Sequence, residues 1–148
     1  MQLLLAACLA VAALPALAGG ITVREPYALS SNPRVGAAYM VIENHGAADR
    51  LVGAATPVAE RAELHAHAME GDVMQMRVLE GIALPEGGTV LLERGGLHVM
   101  LIGLHEPLRA GESLPLTLVL ESGAEIALEV PVKPLREPGS HQGHQPSH

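Results

Sequence analysis

Leu114, Leu116, Leu118 and Leu120 alternate with smaller or polar residues, and Ile126, Leu128, Val130 and Val132 repeat the pattern after Ser122-Gly123-Ala124. A period of two puts each set on one face of a strand, so these segments predict a hairpin with one face on a core. Upstream, short apolar runs are separated by Gly and Pro turns. Strands are expected at 21–27, 37–44, 50–58, 61–67, 73–79, 89–93 and 97–104, with Ser30-Ser31-Asn32-Pro33 as a loop and Gly71-Asp72 as a turn. No stretch predicts a long helix, and no internal repeat is evident. Eight or nine short strands indicate an all-β chain, an antiparallel sandwich or barrel.

The two ends depart from this pattern. Residues 1–18 carry no charge, and their apolar run closes at Ala16-Leu17-Ala18, a small-x-small cleavage site. This predicts a signal peptide at 1–18, cut after Ala18, and a periplasmic protein with no stable membrane insertion. The run is short for a membrane span, and Pro15 interrupts it. No Lys or Arg precedes it, a departure from the usual charged start. Leu5-Ala6-Ala7-Cys8 looks like a lipoprotein cleavage box, but a cut at Cys8 would leave almost no leader, so Cys8 is read as part of the apolar segment. At the other end EPGSHQGHQPSH has no aliphatic residue, which predicts a flexible tail over 137–148. Residues 19–136 remain as one domain.

Composition narrows the chemistry. Cys8 is the chain's one cysteine, so a secreted form has no disulfide, no thiolate metal site, no cysteine nucleophile and no blue-copper centre. A net charge of −7 argues against nucleic acid as a partner. Tyr27 and Tyr39 are the only aromatic residues apart from His, so there is no platform for stacking bases or sugars. No Ser-His-Asp motif, phosphate loop or nucleotide fingerprint is present, and the chain is not expected to be an enzyme.

The remaining chemistry lies in three pairs at i,i+2 spacing: His65 with His67, Met74 with Met76, and His98 with Met100. Each pair shares a face of its strand, so adjacent strands would gather up to three imidazoles and three thioethers. Singly, a Met is usually core filler and a His usually solvated. Met40, in an apolar run, is read as core, and His45 and His105, beside turns, as solvated. Together the pairs suit Cu(I), because thioethers bind soft ions well and hard cations poorly. A zinc hydrolase would instead need His or carboxylate ligands and an open water position. A metal-free interaction sandwich is the reading from another class.

The spacing His65, ten residues, Met76, twenty-one residues, His98, one residue, Met100 resembles the signature of the PCuAC family of periplasmic copper chaperones. The text around it is similar too, in Glu63-Leu64-His65-Ala66-His67, in Gly71 to Arg77 and in Gly95 to Leu101, and the likeness runs from about Gly20 to Lys133. The resemblance implies a cupredoxin-like, immunoglobulin-related β fold. It implies Cu(I) held by His65, Met76, His98 and Met100, with His67 able to replace His65 or assist transfer, and Met69 and Met74 in packing or behind the ligands. It further implies delivery to cytochrome c oxidase assembly, often the CuA centre, through an oxidase subunit or another chaperone. Scavenging or tolerance of copper is the alternative within the same chemistry. His141, His144 and His148 form a dense imidazole cluster suited to Cu(II), and some family members carry a comparable tail.

Overall fold

The alternating strands close on themselves. The computed structural model describes residues 17, 18 and 20–135; the expected signal peptide cut and Cys8, and the expected tail with His141, His144 and His148, lie outside the described residues. In chain order the strands are β1 (Leu17–Ala18), β2 (Ile21–Asn32), β3 (Val35–Asn44), β4 (Asp49–Ala55), β5 (Ala59–Glu70), β6 (Val73–Val78), β7 (Ile82–Leu84), β8 (Thr89–Leu92), β9 (Leu97–Leu104), β10 (Ser113–Leu120) and β11 (Glu125–Pro131). There is no helix among the described residues.

Antiparallel pairing runs β2-β3-β9-β5-β4-β10-β11. After β11 the chain meets β2 again. Val132 bridges Ala28, and the Lys133 N–H donates to the Ala28 carbonyl at 2.9 Å. The sheet is thereby nearly closed into a barrel, which removes most open edges. β6 hangs from this wall, paired with β5 alone.

Inward faces follow the alternation. Leu114, Leu116, Leu118 and Leu120 are at most 2% exposed, and Ile126, Val130 and Val132 pack with them. Met40 is buried in the same core. β3 alternates buried and half-buried along its whole length, so Ala38, Met40 and Ile42 face in, while Ala37 and Tyr39 face out.

Three local expectations change. Ser30–Asn32 is strand, not loop; the turn is Pro33-Arg34, where the Asn32 Oδ1 accepts the N–H groups of Arg34 and Val35 at 2.8 and 2.9 Å. One side chain thus closes a turn tighter than the polar run suggested. The strand expected over 50–58 stops at Ala55, because Pro57 offers no N–H to a ladder. The three-residue β7 was too short to show a period; it pairs with β4, and the buried Asn44 donates through Nδ2 to the carbonyl of Leu84 at 2.8 Å.

Candidate metal centre

β5 stands between β6 and β9, and its registers bring the three i,i+2 pairs side by side. His65 lies opposite His98, and His67 opposite Met76. Met100 lies opposite Glu63 on one flank and Ala37 of β3 on the other. Strand partners share a face, so His65, His67, Met76, His98 and Met100 all lie on the outer wall of the barrel. Leu64, Val99 and Leu101, the intervening residues of β5 and β9, fill the core.

An outer wall is normally wet, yet His98 is only 2% exposed and His65 7%. Their neighbours supply the cover. The His98 ring centroid is 5.3 Å from that of His67, 5.7 Å from His65 and 6.2 Å from Tyr39. Tyr39 in turn stands 5.2 Å from Tyr27, its partner across β2 and β3.

The Gly-rich turn before β9 sets the imidazoles. Gly95 has φ +82°, a conformation that glycine adopts without strain, and the Gly96 N–H donates to the Glu93 carbonyl at 3.0 Å. This turns the Gly96 carbonyl toward β5. It accepts from His98 Nδ1 at 3.1 Å and from the His67 backbone N–H at 3.4 Å. His98 therefore carries its proton on Nδ1 and keeps the Nε2 lone pair for a ligand. Burial holds the His98 pKa below its ordinary value, against the Gly96 hydrogen bond and with help from His67 and His65, so the ring is neutral at neutral pH.

His65 is tied differently. Its Nε2–H donates to the Glu63 Oε2 at 2.8 Å, and the other carboxylate oxygen accepts from Arg61 Nε at 2.7 Å. The His65 hydrogen bond, more than Arg61, holds the Glu63 carboxyl below the usual carboxylate range. The Nδ1 atoms of both His65 and His67 are buried with no hydrogen-bond partner. Buried polar atoms are rarely left so, and an orphaned imidazole nitrogen beside thioethers fits a soft metal ion that completes it.

His67, Met76, His98 and Met100 line one cleft of about 190 Å³, with Tyr39, Ala37 and Arg94 among its walls and Leu135 at its lip. His65 is beside His98 but not among the residues that line the cleft, and Glu63 holds its ring. The geometry thus gathers the four residues of the spacing motif into one patch but gives His67 the more open position. Among the described residues no group of three or more His, Cys, Asp and Glu is arranged to hold a metal. Met69 and Met74 are 60% and 57% exposed, which corrects the packing half of their expected role, in packing or behind the ligands. Glu63 was missed by sequence reasoning as part of the site, although its i,i+2 spacing from His65 was the available signal. His45 and His105 are exposed, as expected.

Comparisons with known proteins agree with this architecture. Copper-bound and apo PCuAC domains from PmoF2 and PmoF1 share the fold, with TM-scores of 0.67 and 0.66 at 24% identity, covering 78% of this chain and 94% and 95% of theirs. The Cu(I)-bound solution structure of DR1885 from Deinococcus radiodurans is 36% identical, with a TM-score of 0.57 over 81% of this chain and 79% of its own. The fold is therefore the cupredoxin-like β fold of PCuAC domains, closed here to a near-barrel. A protein of Leifsonia xyli subsp. xyli named as lipoprotein Lxx21020 is 31% identical over 118 residues, 78% of this chain and 71% of that protein. The model of the LpqE-like family, described as lipoproteins, matches residues 21–132, so the chain belongs to the LpqE-like family of PCuAC-type proteins.

Proposed function

We propose that this protein is a copper chaperone that carries Cu(I) on the outer wall of its barrel, in a site made of His65 or His67 with Met76, His98 and Met100. The observation that carries the reading is one open cleft in which His67, its Nδ1 buried without a hydrogen-bond partner, meets His98 and two thioethers, while His65, next to His98, carries the second such nitrogen. A Cu(I)-bound relative at 36% identity supports the choice of metal. The role is carriage rather than catalysis. All donors are neutral, so the ion keeps its single positive charge and little electrostatic energy opposes its release. The ion is cargo, and the residues act by ligand exchange. His98 offers Nε2 from a fixed tautomer, Met76 and Met100 offer sulfur without any proton to lose, and the cleft stays open for an incoming ligand.

Delivery to cytochrome c oxidase assembly, at CuA or a related centre, is the proposed destination; periplasmic scavenging is the alternative. Transfer of Cu(I) to an apo oxidase domain separates the two. Export fits the lipoprotein names of the relatives, and those names return Cys8 to consideration as a lipid anchor. The tail cluster His141, His144 and His148 is proposed as a second, Cu(II) site on the chemistry of its imidazoles. The test is anaerobic Cu(I) competition titration of the secreted chain with those three His replaced by alanine. One tight Cu(I) per chain, lost in Met76→Leu, upholds the core site. Tight binding that disappears with the tail overturns it.

A further inference from the structure

The β5–β6 hairpin sorts its side chains by chemistry. On one face the cross-strand pairs are Ala66 with Arg77, Ala68 with Gln75 and Glu70 with Val73, and an Arg77–Glu70 ion pair spans that face. On the other face they are His65 with Val78, His67 with Met76 and Met69 with Met74. Every sulfur of the hairpin therefore lies on the face that carries the imidazoles.

The pairing type brings these donors close. The Leu79 N–H bonds the Leu64 carbonyl directly opposite it. Alternation then makes 65/78, 67/76 and 69/74 the pairs without hydrogen bonds between them, whose Cα atoms lie about 4.5 Å apart with side chains nearest. The Met69/Met74 pair is one pleat, about 7 Å, beyond His67/Met76. Neither sulfur has packing to justify it. Met69 is 60% exposed, Met74 57% and Met76 46%; the last two lie on β6, which has no second neighbour, and Met69 lies near the end of β5, beyond its ladder with β9. Exposed edge strands are usually guarded by charge, not by thioethers.

We propose that Met69 and Met74 form an outer Cu(I) station at the hairpin tip, through which the ion enters and leaves the cleft. The proposal rests on the copper reading of the cleft. Cu(I) would be held first by the two exposed sulfurs and then exchanged, one donor at a time, onto His67 and Met76. Copper stays Cu(I) throughout, and thioethers release no proton. The outer station is weaker than the cleft, since two donors without imidazole hold the ion less firmly than a mixed set, which gives the transfer its direction.

Methionine methyl NMR on the full secreted chain, with ¹³C in the methyl groups and buffered Cu(I) added without oxygen, reads the two places separately. The first equivalent should move the Met76 and Met100 methyl signals, and the second those of Met69 and Met74. In Met69→Leu/Met74→Leu, which keeps the apolar bulk of the tip, first-equivalent affinity should be unchanged, while withdrawal of Cu(I) by bathocuproine disulfonate should slow several-fold. Met69 and Met74 signals that stay still through two equivalents overturn the station, and so does an unchanged withdrawal rate in the double variant, even if those signals move. A first equivalent that leaves Met76 and Met100 unmoved overturns the cleft reading itself, a different failure with a different signal.

Discussion

Two hairpins of this chain are built by the same rule and put to opposite use. β10 and β11 pair over seven residue positions and turn Leu114, Leu116, Leu118, Ile126 and Val130 into the core. β5 and β6 pair over six, but β6 has every residue exposed, and the shared outer face carries imidazole and sulfur. In the first hairpin, burial of aliphatic surface stabilises the fold. In the second, little is buried, so the side chains are free to be chosen for ligand chemistry. A β-barrel separates these tasks because alternate residues of one strand face different media: Val99 and Leu101 hold the core while His98 and Met100 face the cleft.

The comparison breaks if the core hairpin can be damaged without cost. Leu118→Ala removes a fully buried side chain and should destabilise by about 2–5 kcal/mol in denaturant unfolding, while the folded fraction keeps its Cu(I) affinity. The reverse substitution is Met100→Leu. It keeps bulk and removes a sulfur, so thermal unfolding should stay nearly unchanged while Cu(I) affinity falls by more than about 100-fold in competition titration, beyond the loss typical of groups that merely support a ligand. Glu63→Ala sharpens the point, because Glu63 is such a supporting group. It releases the His65 Nε2–H and should cost about tenfold in Cu(I) affinity with the site still occupied.

Acid should act on the imidazole face rather than on the aliphatic core. His98 must be neutral to bind metal, and its pKa lies below the ordinary 6.5. Proton competition at His98 therefore begins only as pH falls through that lowered value. In the apo protein the sign follows from linkage: the unfolded chain takes up the His98 proton first, so stability declines as pH drops below 6.5. Monitoring unfolding across that range checks it, and substitution of His98 by Gln should flatten the slope. The smallest effect is expected at Val73→Thr on the polar face of the β5–β6 hairpin, within about 0.5 kcal/mol of the parent, with Cu(I) affinity unchanged.

Much of this was legible beforehand for definite reasons. The leucine alternation of β10 and the Gly71-Asp72 turn announced their hairpins because period and turn chemistry are local. The His and Met pairs were legible as candidate donors because soft side chains at i,i+2 have few other uses at that density. Glu63 escaped notice because its i,i+2 spacing puts it on the face of His65 but does not show that its carboxylate reaches the ring, which is rotamer geometry. The exposed state of Met69 and Met74 escaped too, since an apolar strand reads alike whether or not a neighbour covers it.

The sequence alone determined the strand period and which side chains can hold a soft ion, because each is a property of local covalent structure. Tertiary structure decided the rest. Placing β5 between β6 and β9 made three separate pairs one patch, and the return of Val132 to Ala28 made a sandwich-like sheet a near-barrel. The Gly96 carbonyl chose the nitrogen of His98 that faces a ligand. Those outcomes depend on contacts between residues far apart in the chain, whose pairing is fixed only when the whole core closes.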